Sequence, residues 1–129
     1  MTESNPDPKN FAEMVSKMAE DRVFAELVKR SGLTKKQVET LLLDVMSHRD
    51  GITLTSQQRA ALRGVTKGSY TRTKQQALRN IQKALYTLIL LSYLGLLRLP
   101  GYQWFFRLSE AFEEKDWETV REYLSELGV

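Results

Sequence analysis

Cysteine is absent from this 129-residue chain, which excludes disulfides, thiolate metal ligands and a thiol nucleophile together. Histidine occurs once, as His48 in "SHRDG", so His-based triads and zinc centres lack their parts. A glycine-rich phosphate loop is missing too. "RGVTKGSY" (Arg63 to Tyr70) has two glycines without the spacing, lysine placement or strand context such a loop needs. No catalytic residue, metal or cofactor is expected, and the chain reads as a non-enzyme. The longest apolar run, Ala84 to Leu97, is 14 residues and contains Thr87 and Ser92. A membrane-spanning helix needs roughly 17–25 such residues, so this run is expected to be a core helix. "MTESNPDPKN" has neither the basic nor the apolar region of a secretion signal. The expected location is cytoplasmic, with no membrane partner.

The most informative absence is of negative charge. Residues 51–109 contain no Asp or Glu but nine Lys or Arg, whereas residues 1–50 carry 8 basic and 9 acidic residues and residues 110–129 carry 2 and 7. The net charge of +3 therefore hides a chain that is near neutral, then strongly basic, then acidic. Segregation on this scale produces a directional field and a surface suited to a polyanion.

What is present is helical spacing. Hydrophobic residues make up 42% and charged residues 27%, as in ordinary folded domains. Residues 1–9, with two prolines, are expected to form a disordered tail. Asn10 and Glu13 resemble a capping box ahead of Phe11, Val15 and Met18. The apolar phase then shifts to Val23, Phe24, Leu27 and Val28, which places a break at Glu20–Asp21 with Asp21 capping a second helix. Gly32 is the expected stop. Thr34 with Gln37, and Thr55 with Gln58, are capping boxes for the next two helices, the first lined by Val38, Leu41, Leu42 and Val45. "RDG" is a turn, and "GITLT" is the only candidate extended piece. A long helix, capped by Ser69 or Thr71, is expected to run to about Leu97 and to end at "RLPG". Two further helices follow, within Tyr102–Glu114 and after Asp116, the latter lined by Trp117, Val120, Leu124 and Leu127. The expected fold is all-α: a compact bundle of about six or seven helices in a single domain over 10–129, with a long central helix and a C-terminal helical hairpin.

The long helix changes character along its length. Arg72, Gln76, Arg79 and Lys83 share one stripe, opposite Leu78, Ile81 and Leu85. Arg and Lys neutralise phosphates, and Arg or Gln can bond base edges bidentately. Ser69, Thr71 and Thr73 add hydroxyls near the helix start, and Tyr70 can stack on a base or pack inward. With Arg59, Arg63, Lys67 and Lys74, these residues form the candidate nucleic-acid contact. The bland alternative is a solvated basic face, although such faces normally mix signs to gain i,i+4 pairs. From Ala84 onward the helix is apolar nearly all round. Burial beneath the C-terminal aromatics is expected there, with a homodimer interface as the alternative. Stacking of those aromatics on single-stranded bases is a third use.

Val23 to Met46 resembles the helix-turn-helix superfamily of DNA-binding proteins, through Ala25, Gly32, Leu33, Val38 and Leu41. That resemblance implies groove contacts from Thr34, Lys35 and Lys36, with Glu39 beside them. "LTSQQRAALRG" followed by "SYTRTKQQALRNIQKAL" resembles the sigma-factor region 4 class of the same superfamily. It departs from that pattern in having only "VTKGS" where a middle helix would stand. The resulting expectation is a small helix-turn-helix transcriptional regulator or chromatin-associated factor that grips duplex DNA through Arg59–Lys83. The alternatives are a sequence-independent binder of single-stranded DNA or RNA, and a protein-interaction adaptor with a basic face.

Overall fold

Most helices here begin at a side chain that can accept a backbone hydrogen bond. The computed structural model describes residues 8–47, 54–98 and 100–129. Seven α-helices and no strand occur among the described residues: α1 (Pro8–Glu20), α2 (Arg22–Arg30), α3 (Lys35–Met46), α4 (Ser56–Arg63), α5 (Lys67–Tyr93), α6 (Gln103–Glu114) and α7 (Trp117–Glu126). The all-α expectation holds. His48, the "RDG" turn and most of "GITLT" lie outside the described residues, as do 1–7 of the expected tail. Pro8 and Lys9 are already helical.

The caps follow the sequence closely. Asp21 accepts from the Phe24 amide at 3.1 Å. Thr34 and Gln37 form a reciprocal capping box, as do Thr55 and Gln58. Asp116 accepts from the Thr119 amide at 3.2 Å and from its hydroxyl at 2.6 Å, which holds the Asp116 carboxyl below the usual range. Each cap satisfies backbone donors that have no partner inside the helix.

Four boundaries differ from expectation. Helix α1 starts at Pro8, ahead of Asn10, because proline at a first helical position loses no hydrogen bond and is already set for the helix. Helix α2 stops at Ser31, whose backbone is extended and whose hydroxyl donates to the Val28 carbonyl at 2.8 Å. Gly32 is not in the left-handed region. Helix α5 starts at Lys67, with the Thr66 hydroxyl accepting from the Ser69 amide at 3.1 Å. Neither Ser69 nor Thr71 is its cap. At its other end α5 stops at Tyr93, ahead of Gly95 at φ 74°, so "RLPG" is not its terminator. The chain continues as short 3-10 turns at Leu96–Arg98 and Pro100–Tyr102.

The chain, expected as one domain from residue 10, divides into two units that share α5: one ends at Gln82 and the other runs from Lys83 to Val129. In the first unit Phe11, Leu43, Ala60 and Tyr70 form the core, with Met14, Val15, Met46, Leu62 and Val65 packed on it. Helix α3 buries Gln37, Thr40 and Leu43, one register step from the expected Val38, Leu41, Leu42 and Val45 face. Helix α2 buries none of its residues and Ala25 is exposed. In the second unit Leu108 and Ala111 of α6 and Val120 and Leu124 of α7 are buried. Those two helices are joined through Lys115, in the left-handed region at φ 57°.

Expected burial of the apolar half of α5 is not observed. Leu85, Tyr86, Ile89, Leu90, Tyr93 and Leu94 are all exposed, as are Tyr102, Trp104, Phe105, Phe106, Phe112 and Trp117. Helices α6 and α7 are short, and their small buried set of Leu, Ala and Val closes on itself.

Candidate nucleic-acid interface

Helices α4 and α5 are joined by only three residues, Gly64 to Thr66. Gly64 adopts φ 71° and ψ 29°, a left-handed conformation that a Cβ would penalise. Its amide bonds the Ala61 carbonyl and the Val65 amide bonds the Ala60 carbonyl, each at 3.0 Å. This closing pattern satisfies the last carbonyls of α4 and turns the chain sharply. Thr66 then caps α5. "VTKGS" is thus no middle helix: Val65 and Thr66 are turn, while Lys67, Gly68 and Ser69 are the first residues of α5.

The nine cations of the acid-free stretch fall into distinct groups. Three of them turn inward to meet the two carboxylates of α3. Asp44 Oδ1 lies 3.3 Å from Arg59 Nε and 3.1 Å from Lys74 Nζ. Glu39 Oε1 lies 3.6 Å from an Arg63 guanidinium nitrogen. Arg63 also donates to the Thr40 hydroxyl at 2.8 Å and to the Lys36 carbonyl at 3.4 Å. Arg59 donates to the Leu54 carbonyl and to the Ser56 hydroxyl, and its guanidinium stacks over the Tyr70 ring at 5.7 Å. The Arg59 and Arg63 side chains are only 9% exposed. Arg59 Nε pairs with Asp44 by charge without an aligned hydrogen bond.

Arg59 and Arg63 are therefore corrected from contact residues to packing residues, while Lys74, paired with Asp44, keeps 32% of its side chain exposed. Tyr70 is corrected with them: it is 1% exposed, and its hydroxyl donates to the Thr40 carbonyl at 3.4 Å. Burial, and secondarily the Asp44 carboxylate, push the Tyr70 phenol above its ordinary pKa, while Arg59 and Arg63 oppose them. The sequence could not assign these four because the α3 groups they meet lie 15 to 30 positions away along the chain.

The second group stays outside. Lys67, Arg72, Gln76, Arg79 and Lys83 are exposed on α5. No described carboxylate lies within ion-pair distance of Lys67, Arg72, Arg79 or Lys83. Gln75, in register between Arg72 and Arg79, is exposed as well; its spacing from those two residues was the signal for it. Arg72 leans back along the helix, since a Cβ built on Gly68 would meet its Nη1 at 3.4 Å. Such a direction is normal for long helical side chains. Ser69, Thr71 and Thr73 are half-buried.

The start of α3 is held beside this face. Asn80 of α5 donates to the Gly32 carbonyl at 3.1 Å and to Gln37 Oε1 at 3.2 Å, and the same Gln37 oxygen accepts from the Thr34 amide at 3.1 Å. Thr34, Lys35 and Lys36 are exposed there. Asn80 is a positioning residue that sequence reasoning missed, because its partners are 43 and 48 positions away. Glu39 and Asp44, the carboxylates that would repel phosphate, are half-buried and paired.

Among the described residues no group of three or more His, Asp or Glu side chains is placed to hold a metal ion, and no helix is long and apolar enough to cross a membrane. Comparison with protein-family models, with curated proteins and with solved structures returns no match in any of the three.

Proposed function

We propose that this protein binds duplex DNA, with α4, the Gly64–Thr66 turn and α5 acting as a helix-turn-helix whose second helix enters the major groove. The observation that carries the reading is the sorting of charge. Acid partners are used up on the inner side by Arg59, Arg63 and Lys74, while Arg72, Gln76 and Arg79 remain outside on one rigid helix face. A helix is the element a major groove admits, and Arg and Gln are side chains that read guanine and adenine edges there. Lys83 extends the same face toward phosphates, Lys67 stands at the exposed start of α5 on another side of the helix, and Thr34, Lys35 and Lys36 supply an accessory backbone contact. On this reading the protein is a small cytoplasmic transcriptional regulator or chromatin-associated factor.

A gel shift with duplex DNA, single-stranded DNA and RNA at matched salt tests the reading. Duplex retention that disappears in the Arg72→Ala, Arg79→Ala double variant supports it. Preferential retention of a single strand transfers the function to a sequence-independent binder. No retention of any nucleic acid leaves a basic face for an acidic protein.

A further inference from the structure

The C-terminal half of α5 carries an apolar face left uncovered among the described residues. Leu85, Tyr86, Ile89, Leu90 and Tyr93 are spaced i, i+1, i+4, i+5 and i+8, so they lie on one side of the helix. Ile89 is 59% exposed, Tyr86 62% and Tyr93 86%. Leu88 and Leu91, on the other side, are half-buried. Not one charged residue occurs between Ala84 and Leu97.

We infer that this face is a homodimer interface, occupied by the same face of a second copy. Its size is the first reason. At roughly 200 Å² for a large apolar side chain, the five residues present on the order of 600 Å². That is already at the upper end of the apolar patches found on monomers. The exposed aromatics of α6 bring the apolar surface of this unit to on the order of 1,000 Å². A stable interface uses about 800 Å² from each partner.

Charge is the second reason. A face without ionic groups meets a copy of itself with no like-charge penalty, as a two-fold interface requires. An anionic bilayer is a poor occupant by the same reasoning. Lys83 to Val129 carries seven acidic residues against five basic ones, and such membranes attract basic segments. Shape is the third reason. The ridge Leu85, Ile89, Tyr93 follows the i±4 rows that interdigitate when two helices cross, and tyrosine is enriched in interface cores.

The inference stands without the nucleic-acid reading, and its test involves no nucleic acid. Light scattering on the full chain at tens of micromolar is expected to give twice the 14.9 kDa chain mass. The Ile89→Glu, Tyr93→Glu double variant is expected to be monomeric, with the dimer Kd raised about 100-fold or more. Because these residues are exposed in the single chain, its helical circular dichroism is expected to stay unchanged. The uncharged Tyr86→Ser, Tyr93→Ser pair guards against loss of fold and is expected to weaken the dimer in the same direction. A monomeric wild type overturns the inference, and so do folded variants that remain dimeric. Flotation of the wild-type chain with phosphatidylcholine vesicles overturns it in favour of a lipid occupant.

Discussion

Asp44 of α3 and Arg59 of α4 meet at 3.3 Å, and the same carboxylate oxygen takes Lys74 of α5 at 3.1 Å. One acid thus ties three helices, holding Arg59 almost buried and pairing Lys74, which keeps 32% of its side chain exposed. Asp44→Ala leaves the nearly buried Arg59 guanidinium without its counter-charge, which costs about 3 kcal/mol. Urea denaturation is expected to show that loss. A change below about 0.5 kcal/mol would mean that the pair contributes nothing to folding.

Arg72 and Arg79 are expected to behave in the opposite way. They touch no described acid, so replacing both with alanine changes stability by no more than about 0.5 kcal/mol each. Affinity for duplex DNA is expected to fall. Because these two side chains are assigned to base edges, the slope of log affinity against log salt should stay nearly unchanged, whereas Lys83→Ala should make it shallower by about 0.9 for the phosphate no longer neutralised. Fluorescence anisotropy across a salt series measures both. Unchanged affinity in the arginine variant, or an unchanged slope in Lys83→Ala, would place the contacting cations elsewhere.

Tyr70 gives a pH dependence with a definite sign. Its folded-state pKa lies above the ordinary value because the phenolate would be buried beside Asp44. Below about pH 10 both states keep the proton and the full stability is present. Above that pH the unfolded chain ionises before the fold does, so stability falls as pH rises through the folded-state value. Absorbance at 295 nm is expected to show one of the five tyrosines ionising after the rest, and the late component should be missing in Tyr70→Phe. Simultaneous ionisation of all five would count against the burial.

Gly64 stands at φ 71° where the chain turns from α4 into α5. An L-residue in that conformation costs about 1–2 kcal/mol, so Gly64→Ala is expected to lower stability by about that much. The contrast is Gly32, which is not left-handed and has open space where a Cβ would stand. Gly32→Ala should cost less than about 0.5 kcal/mol. Thermal melts of the two variants compare them directly, and equal losses would contradict the turn geometry.

The order of residues was enough to specify the helices, three of their caps and the break at Asp21. Periodicity and capping are local, and the groups involved lie within four residues of one another. The segregation of charge along the chain was equally legible, as was the line that Arg72, Gln76, Arg79 and Lys83 share on one helix. Which cations are available was settled by packing alone. Arg59, Arg63 and Lys74 look like Arg72 and Arg79 in sequence, and they differ because Asp44 and Glu39 come to face them from a helix distant in the chain. Packing likewise left Leu85, Ile89 and Tyr93 outside their own unit's core. An apolar helix announces that it must be covered, but the fit of its neighbours dictates whether the cover comes from the same chain.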